Sequence, residues 1–391
     1  MSRQTAIPAF AQPSDGSVDI LFVAGEHSGD QHAANLIRSL RERHPELKIA
    51  AVGGPEMEKA GAQLLYDLTA FSVVGLVEVL KHFSEFRALF GETVEWIARH
   101  RPRAVCFVDY PGFNLRVAKA LFDRHISRKG GGNVALYYYI SPQIWAWKAR
   151  RRFEMARLLD SLAVIFPFEI GCYADTGLDV RFVGHPFVAE GWRSTLSRDP
   201  DGPILLLPGS RVQPVSRIFP AMLNGFGYVL ERRPGERAVV LYPDALIRDV
   251  LEKILSRRRD LRGRVELRAA SEGAAGKACL LSSGTMSLNC ALAGIPGAIC
   301  YKAHPVTYYL GRMLVNVQYL GIANLLLPDD PPYPEFLQGD AGASKLGQTL
   351  LRAMEDRSAA EKSARSAETL RRILSADGAA DPASWLMEAL S

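Results

Sequence analysis

The sequence contains no run of 18 uninterrupted apolar residues, so no membrane-spanning helix is expected. Its first residues, MSRQTAIPAFAQPSDGS, carry Pro, Ser and Gln where a secretory leader needs an apolar centre. Residues 1–18 are therefore expected to form a flexible N-terminal extension. Five cysteines occur, at 106, 172, 279, 290 and 300; no two have CxxC spacing, and the odd count excludes a fully paired disulfide framework. Cys106, Cys279 and Cys300 lie in apolar runs and are expected as buried thiols, which suits a reducing cytoplasm. Charge of one sign does not dominate: 47 Lys+Arg face 42 Asp+Glu, a net +5. That mild excess fits an acidic ligand or an anionic membrane surface and gives no reason to expect nucleic acid. GxGxxG, GxxxxGK[ST] and HExxH are all missing, so no dinucleotide fingerprint, P-loop or zinc-protease helix is present. No metal and no cofactor are expected.

What remains is the composition of an ordinary folded protein, 48% hydrophobic and 23% charged over 391 residues. That length favours two domains or one large one. Short, β-rich apolar runs alternate with helical patterns from end to end. Strands are expected over 19–25, 49–53, 103–108, 134–140, 162–166 and 180–183, and helices over 30–43 and 85–100. The polar segment 189–203, AEGWRSTLSRDPDGP, is the expected linker. The pattern then restarts, with strands expected over 204–207, 238–242, 265–268, 278–281 and 297–301. Near-continuous apolar strands between helices argue for parallel sheets covered on both faces. The architecture expected is α/β, with two units joined near residue 195. Ligands of such sheets lie beyond the carboxyl ends of the strands, so the residues following each strand are the ones to read.

The first strand runs into Gly25-Glu26-His27-Ser28-Gly29-Asp30, a turn that suits close backbone approach to a ligand, or a plain helix start capped by Ser28 or Asp30. VCFVDYPGFN places Asp109 directly after a strand, where a carboxylate can act as general base or simply form a turn. YISPQIWAWKARRR sets Trp145 and Trp147 before a cluster of cations, a combination suited to an anionic amphiphile or a membrane interface. The apolar stretch 71–83, FSVVGLVEVLKHF, is core or a surface for lipid chains. His185 follows a strand and lines a site or supports a hinge. LLLPGSR at 205–211 joins a strand to a Pro-Gly turn, a hydroxyl and a guanidinium, with Pro214 suited to the first turn of the next helix. These are the groups a diphosphate needs, and Ser282-Ser283-Gly284-Thr285 repeats the arrangement.

Taken together and in order, these pieces resemble the lipid-A-disaccharide synthase family. The resemblance is carried by AGEHSGD at 24–30, VGGPEME at 52–58, VVGLVEVLKH at 73–82, FVDYPGFN at 107–114, YYISPQIWAW at 138–147, FPFE at 166–169, FVGHP at 182–186, LLPGSR at 206–211, SSGT at 282–285, and ANLLLP with PEFLQ between 323 and 338.

The resemblance implies a GT-B architecture: two Rossmann-like domains facing a cleft, over 19–190 and 200–360, with C-terminal helices at 361–391 returning to the N-terminal domain. It implies an inverting glycosyltransferase that joins UDP-2,3-diacylglucosamine to 2,3-diacylglucosamine 1-phosphate (lipid X) and releases UDP. It assigns Asp109 as general base and Arg211 to the donor diphosphate, with Ser210, Ser283, Gly284, Thr285, Asn289 and Asn324 on the donor side. Glu26, Ser28 and His185 fall on the acceptor side. Val73, Val74, Leu76, Val77, Trp145 and Trp147 fall where acyl chains or the inner-membrane surface would touch. The expected location is the cytoplasmic face of the inner membrane of a Gram-negative-type bacterium, and a homodimer is compatible with the sequence.

Four positions depart from the family pattern. Asn289 stands where Glu is usual, Pro214 likewise, Leu327-Pro328-Asp329-Asp330 replaces a Gly-Arg, and Gly112 replaces an Asp. The alternative functions are another lipid acceptor or UDP-sugar 2-epimerase chemistry on the same fold, or a catalytically idle homologue that binds UDP-sugar or membrane.

Overall fold

A computed structural model describes residues 9–71, 83–303, 318–375 and 381–390. The chain divides into two compact units, Met1–Pro186 with Ala376–Ser391, and Phe187–Ser375.

The first unit carries strands β1 (Ile20–Ala24), β2 (Ile49–Gly53), β3 (Gln63–Asp67), β4 (Ala104–Val108), β5 (Ala135–Tyr139), β6 (Ser161–Val164) and β7 (Asp179–Phe182). They form one parallel sheet in the order β3-β2-β1-β4-β5-β6-β7. The chain builds outward from β1 to β3, then returns to β4 on the other side of β1. The order therefore reverses between β1 and β4, and a ligand crevice is expected at their carboxyl ends. Every residue of β1, β2, β4, β5 and β6 is buried, which explains runs with no polar alternation. β3, with its half-buried QLLYD, is an edge strand, and no strand was expected there.

The second unit carries β8 (Leu196–Arg198), β9 (Ile204–Leu207), β10 (Ala238–Tyr242), β11 (Val265–Ala269), β12 (Ala274–Gly276), β13 (Ala278–Leu281), β14 (Gly297–Tyr301) and β15 (Glu335–Leu337). Its main sheet has the order β11-β10-β9-β13-β14-β15, again parallel, and again reversing beside its first strand, between β9 and β13. The helix Val212–Leu230 covers it through Val215, Ile218, Phe219, Met222, Phe226 and Val229, a stripe at helical spacing. Pro214 lies in the first turn of that helix, where its missing N–H costs nothing.

Three boundaries differ from expectation. Residues 9–18 are mostly exposed but tied down: Phe10 is buried against Tyr66, its amide donates to Glu92, and Ala11 O accepts from Trp96 Nε1 at 2.9 Å. The expected linker 189–203 contains β8, which pairs with β12. The C-terminal turning point lies after Ser375, not at 361. The helix Arg357–Leu374 stays with the second unit, where Arg371 donates to Leu292 O, and the helix Pro382–Leu390 belongs to the first. There Trp385 is fully buried, edge-on to Tyr137, and its indole N–H donates to Ser161 Oγ at 2.8 Å. Burying about 200 Å2 of such a side chain contributes on the order of 5 kcal/mol, enough to hold a nine-residue helix that would not persist alone.

Candidate functional site

At the reversal point of the first sheet, two loops meet. One follows β1 and the other follows β4. Gly25 lies so close to the Tyr110 ring that a Cβ built on it would sit 2.1 Å from Tyr110 Cδ1. Burial, then the nearby Glu26 carboxylate, raises the Tyr110 phenol above its ordinary range. Glu26 is exposed and is the N-cap of the helix His27–Arg43, but its side chain makes no cap bond. Ser28 is also exposed, one residue into the helix. Asp30 is not a cap. It is buried, and accepts from the amides of Gly54, Glu56 and Met57 at 3.0–3.1 Å, pinning the loop after β2. Burial raises its pKa against the pull of those three amides.

Asp109 and Tyr110 both adopt left-handed backbone, with φ of 45° and 47°. Two consecutive non-glycine residues in that region are strained, and the surroundings hold them there. The Asp109 amide donates to Tyr139 O at 3.1 Å. Its carbonyl accepts from Asn114 Nδ2 at 2.7 Å and from the Tyr138 hydroxyl. Asn114 is fully buried and its Nδ2 also lies 3.3 Å from Val23 O and 3.4 Å from Val108 O, so one amide ties the ends of β1 and β4 together. Pro111 then starts the helix Pro111–Asp123. The effect is a half-buried carboxylate on a rigid strand-to-helix corner. Asn114 was within a quoted motif but had no expected role; only its position under the corner gives it one.

Beyond β5, β6 and β7 the strand-end loops form an aromatic cluster. Phe166 stacks on Phe168 at 5.6 Å, Trp145 meets Phe168 edge-on at 5.6 Å, and His185 lies 5.2 Å from Phe166. His185 is buried, and burial followed by the neighbouring His32 lowers it to about 3, so it is a neutral ring. Glu169 is buried beside this cluster, and its Oε2 accepts from the Phe166 amide at 3.1 Å. The two tryptophans, expected to act together, are separated: Trp145 is half-buried against Phe168. Trp147 is 50% exposed, with Lys148 Nζ 4.5 Å and Arg151 Cζ 5.8 Å from its ring. A turn, not a strand, carries them, so residues two apart need not share a face. Phe153 (49%) and Ile170 (44%) are also exposed, and Arg152 lies over the Phe153 ring. Val73, Val74, Leu76 and Val77 lie outside the described residues.

In the second unit, the loops after β9 and β13 also stand side by side at the reversal point. Leu207 and Leu281 are in register, and the Ser282 amide donates to Leu207 O at 2.9 Å. Gly209 has φ 111°, and a Cβ there would sit 3.1 Å from Ser282 Oγ. Only glycine allows both the conformation and the approach. Ser210 and Arg211 are exposed; Arg211 is the N-cap of the helix Val212–Leu230, and its guanidinium makes no hydrogen bond or ion pair with any described residue. Gly284 caps the helix Thr285–Leu292, with Ser283 half-buried and Thr285 exposed. Two helix N-termini, the hydroxyls of Ser210, Ser283 and Thr285, and the Arg211 cation are donors of the kind a diphosphate takes.

The side chains of Asn289 and Asn324, expected on the donor side, are engaged within the same unit. Asn289 is buried and accepts from Ser194 Oγ at 2.7 Å, anchoring the segment that leads into β8. Asn324 is fully buried; its Nδ2 donates to Tyr333 O and Glu335 Oε1 at 2.8 Å, and its Oδ1 accepts from the Tyr333 amide. Asn324 is enclosed on all sides, whereas Asn289 is held through its Oδ1 alone.

A family model described as lipid-A-disaccharide synthetase matches residues 20–382. The chain is 36% identical over 340 residues to lipid-A-disaccharide synthase 1 of Legionella pneumophila subsp. pneumophila, covering 85% of this chain and 86% of the relative. It is 34% identical over 353 residues to the lipid-A-disaccharide synthase of Geobacter sulfurreducens, covering 88% and 89%. Among solved structures, the glycotransferase of kitacinnamycin superposes with a TM-score of 0.60 at 15% identity, over 96% of this chain and 99% of that one. That likeness is one of fold, and the fold is GT-B.

Proposed function

We propose, from the premise that this chain belongs to the lipid-A-disaccharide synthase family of glycosyltransferases, that it joins UDP-2,3-diacylglucosamine to 2,3-diacylglucosamine 1-phosphate with inversion. The observation that carries the reading is the strained corner at Asp109: a half-buried carboxylate, locked by Asn114 and Tyr138, at the reversal point of a parallel sheet.

In this reading Asp109 removes the proton of the acceptor 6-hydroxyl as its oxygen attacks the anomeric carbon of the donor. The bond from that carbon to the diphosphate oxygen breaks, and UDP departs with the electron pair. A positioned base supplies roughly 10²- to 10⁴-fold of the rate. Arg211, Ser210 and the amides at Ser283, Gly284 and Thr285 stabilise the charge that develops on the diphosphate. Glu26, Ser28 and His185 line the acceptor side. Trp147 and Phe153, exposed beside Lys148, Arg151 and Arg152, support contact with an anionic membrane surface, to which aromatic rings and cations both partition. No helix among the described residues is long and apolar enough to cross a membrane.

The test is incubation of the wild-type chain and Asp109→Asn with both acylated substrates, read by mass spectrometry. The expected result is disaccharide 1-phosphate from the wild type and a loss of about a thousandfold in the variant, with UDP binding unchanged. A variant working at the wild-type rate would remove Asp109 from the mechanism. Hydrolysis or epimerisation of the donor with no acceptor present would favour the alternative chemistry.

A further inference from the structure

Lys302 and Gln338, both in the second unit, have no part in the mechanism above. Leu281 on β13 and Ile299 on β14 are in register. The turn 282–285 begins directly after Leu281, and β14 runs on to Tyr301, the residue before Lys302. Adjacent strands stand about 4.8 Å apart, so the backbone that carries Lys302 rises alongside the turn that carries Ser283 and Thr285. Lys302 is half-buried, and its ammonium makes no hydrogen bond or ion pair with any described residue. A cation partly withdrawn from water gains from an anion beside it.

The segment that carries Lys302 is held by a side-chain clamp. β14 and β15 are in register as far as Tyr301 and Leu337. There the ladder stops, because Gln338 takes left-handed backbone, φ 51°, and the chain turns into the 3-10 turn Gln338–Asp340. The Gln338 side chain replaces the missing rung. Its Oε1 accepts from the Ala303 amide at 3.1 Å, and its Nε2 donates to Ala303 O at 3.2 Å. A side-chain amide thus prolongs the sheet by one step, on the residue next to Lys302. Left-handed backbone at a non-glycine residue persists only where its surroundings hold it, and this pair of bonds does so. The two carboxylates that flank Gln338 in sequence are engaged elsewhere. Glu335 accepts from the Leu320 and Gly321 amides and from Asn324 Nδ2, and Asp340 pairs with Lys345.

The strand order gives the clamp its meaning. In the run β9-β13-β14, Arg211 belongs to the loop after the first strand, the 282–285 turn follows the second, and Lys302 follows the third. The two cations therefore flank the turn from its two neighbouring strands. At about 4.8 Å per strand, the strand ends they follow are roughly 10 Å apart, a gap that two long side chains close on an anion between them.

We infer that Lys302 is a second cation of the donor-diphosphate site, and that Gln338 is the positioning residue that holds it beside the 282–285 turn. Charge on the diphosphate grows as its bond to the anomeric carbon breaks, so a cation there counts for more in the transition state than in donor binding. This role rests on the second unit holding the donor diphosphate, as proposed above.

The test uses the full chain, with turnover of both acylated substrates and calorimetric titration with UDP. Lys302→Met is expected to lower kcat about 10- to 100-fold and to weaken UDP binding severalfold, with the melting temperature unchanged; Lys302→Arg restores most of both. Gln338→Ala is expected to weaken UDP binding in the wild-type background and to change it no further in the Lys302→Met background, because the clamp acts through the lysine. Wild-type kcat and UDP affinity in Lys302→Met overturn the inference. An equal loss of UDP affinity from Gln338→Ala in both backgrounds overturns the positioning role. The Lys302 variants remove no contact with a described residue, so their result stands whether or not Gln338→Ala folds. Arg211→Ala separates the two readings. If it weakens UDP binding while Lys302→Met does not, only the second cation is wrong; if neither variant weakens it, the donor-site reading is wrong.

Discussion

Gly25 packs its backbone directly against the ring of Tyr110, at a separation that leaves no room for a methyl group. Tyr110 is the residue after Asp109, and both share the left-handed corner. The loop after β1 therefore sets where the carboxylate of the loop after β4 can stand.

Gly25→Ala is expected to push the Tyr110 ring away and to shift Asp109 with it. Overpacking of this kind costs about 1–3 kcal/mol of stability. A displacement of about 1 Å at a reacting group costs on the order of a hundredfold in rate. Thermal unfolding and kcat measured together check the prediction; activity should fall by far more than the modest loss of stability accounts for.

Asn114→Ala leaves the Asp109 carbonyl without its 2.7 Å partner and the ends of β1 and β4 without their shared amide. The carbonyl keeps the Tyr138 hydroxyl, so the loss is that of a net buried hydrogen bond, about 0.5–1.5 kcal/mol. The expected result is a lower melting temperature and a kcat reduced by at least about tenfold, with UDP affinity unchanged because Asn114 lies in the other unit. Weaker UDP binding on titration calorimetry would contradict it.

Arg211 is exposed and has no described protein partner, so its removal should not weaken the fold. Arg211→Ala is expected to weaken UDP binding by about 10- to 100-fold, the worth of a charge-assisted hydrogen bond of about 1.5–3 kcal/mol. Arg211→Lys should recover part of it, lacking only the forked geometry. Asn289→Ala should behave in the opposite way, losing stability through Ser194 with little change in UDP affinity. Calorimetry and melting curves on the three variants distinguish the roles.

His185 gives the stability a sign on the acid side. Its folded pKa is depressed to about 3, chiefly by burial, against an ordinary value of 6.5. The unfolded chain takes up a proton that the folded chain refuses, so stability is present above about pH 6.5 and is lost as pH falls toward 3. The slope is on the order of 1.4 kcal/mol per pH unit. His185→Gln should flatten the fall in denaturant midpoint between about pH 6.5 and pH 4, and an unchanged slope would show that other groups carry it.

Much of the fold was legible because buried parallel strands must be apolar throughout. β1, β2, β4, β5, β9, β10, β13 and β14 each stand out as such a run. The strands that escaped notice are two of the four sheet edges and the one short pair. β3 and β15 are only half-buried, and β8 and β12 are three residues each. Their pairing comes from neighbours distant in sequence, and no local pattern requires it. Long-range packing of the same kind ties down the segment 9–18, through Phe10 on Tyr66 and Trp96 on Ala11.

For the site, the sequence by itself determined which residues stand at strand ends: Glu26, Asp109, Ser210, Arg211 and the 282–285 turn. A strand's length and its terminating glycine or proline are local properties. Only the tertiary structure decided which of those ends are adjacent, because strand order is set by crossover connections and not by spacing. It put the β1 loop against the β4 loop and the β9 loop against the β13 loop. It also tied Asn289 to Ser194 and Asn324 to Tyr333, and buried Glu169 beside the stacked rings of Phe166 and Phe168. Whether an amide or a carboxyl meets solvent or another side chain depends on what the rest of the chain stacks over it, and that is long-range packing no motif records.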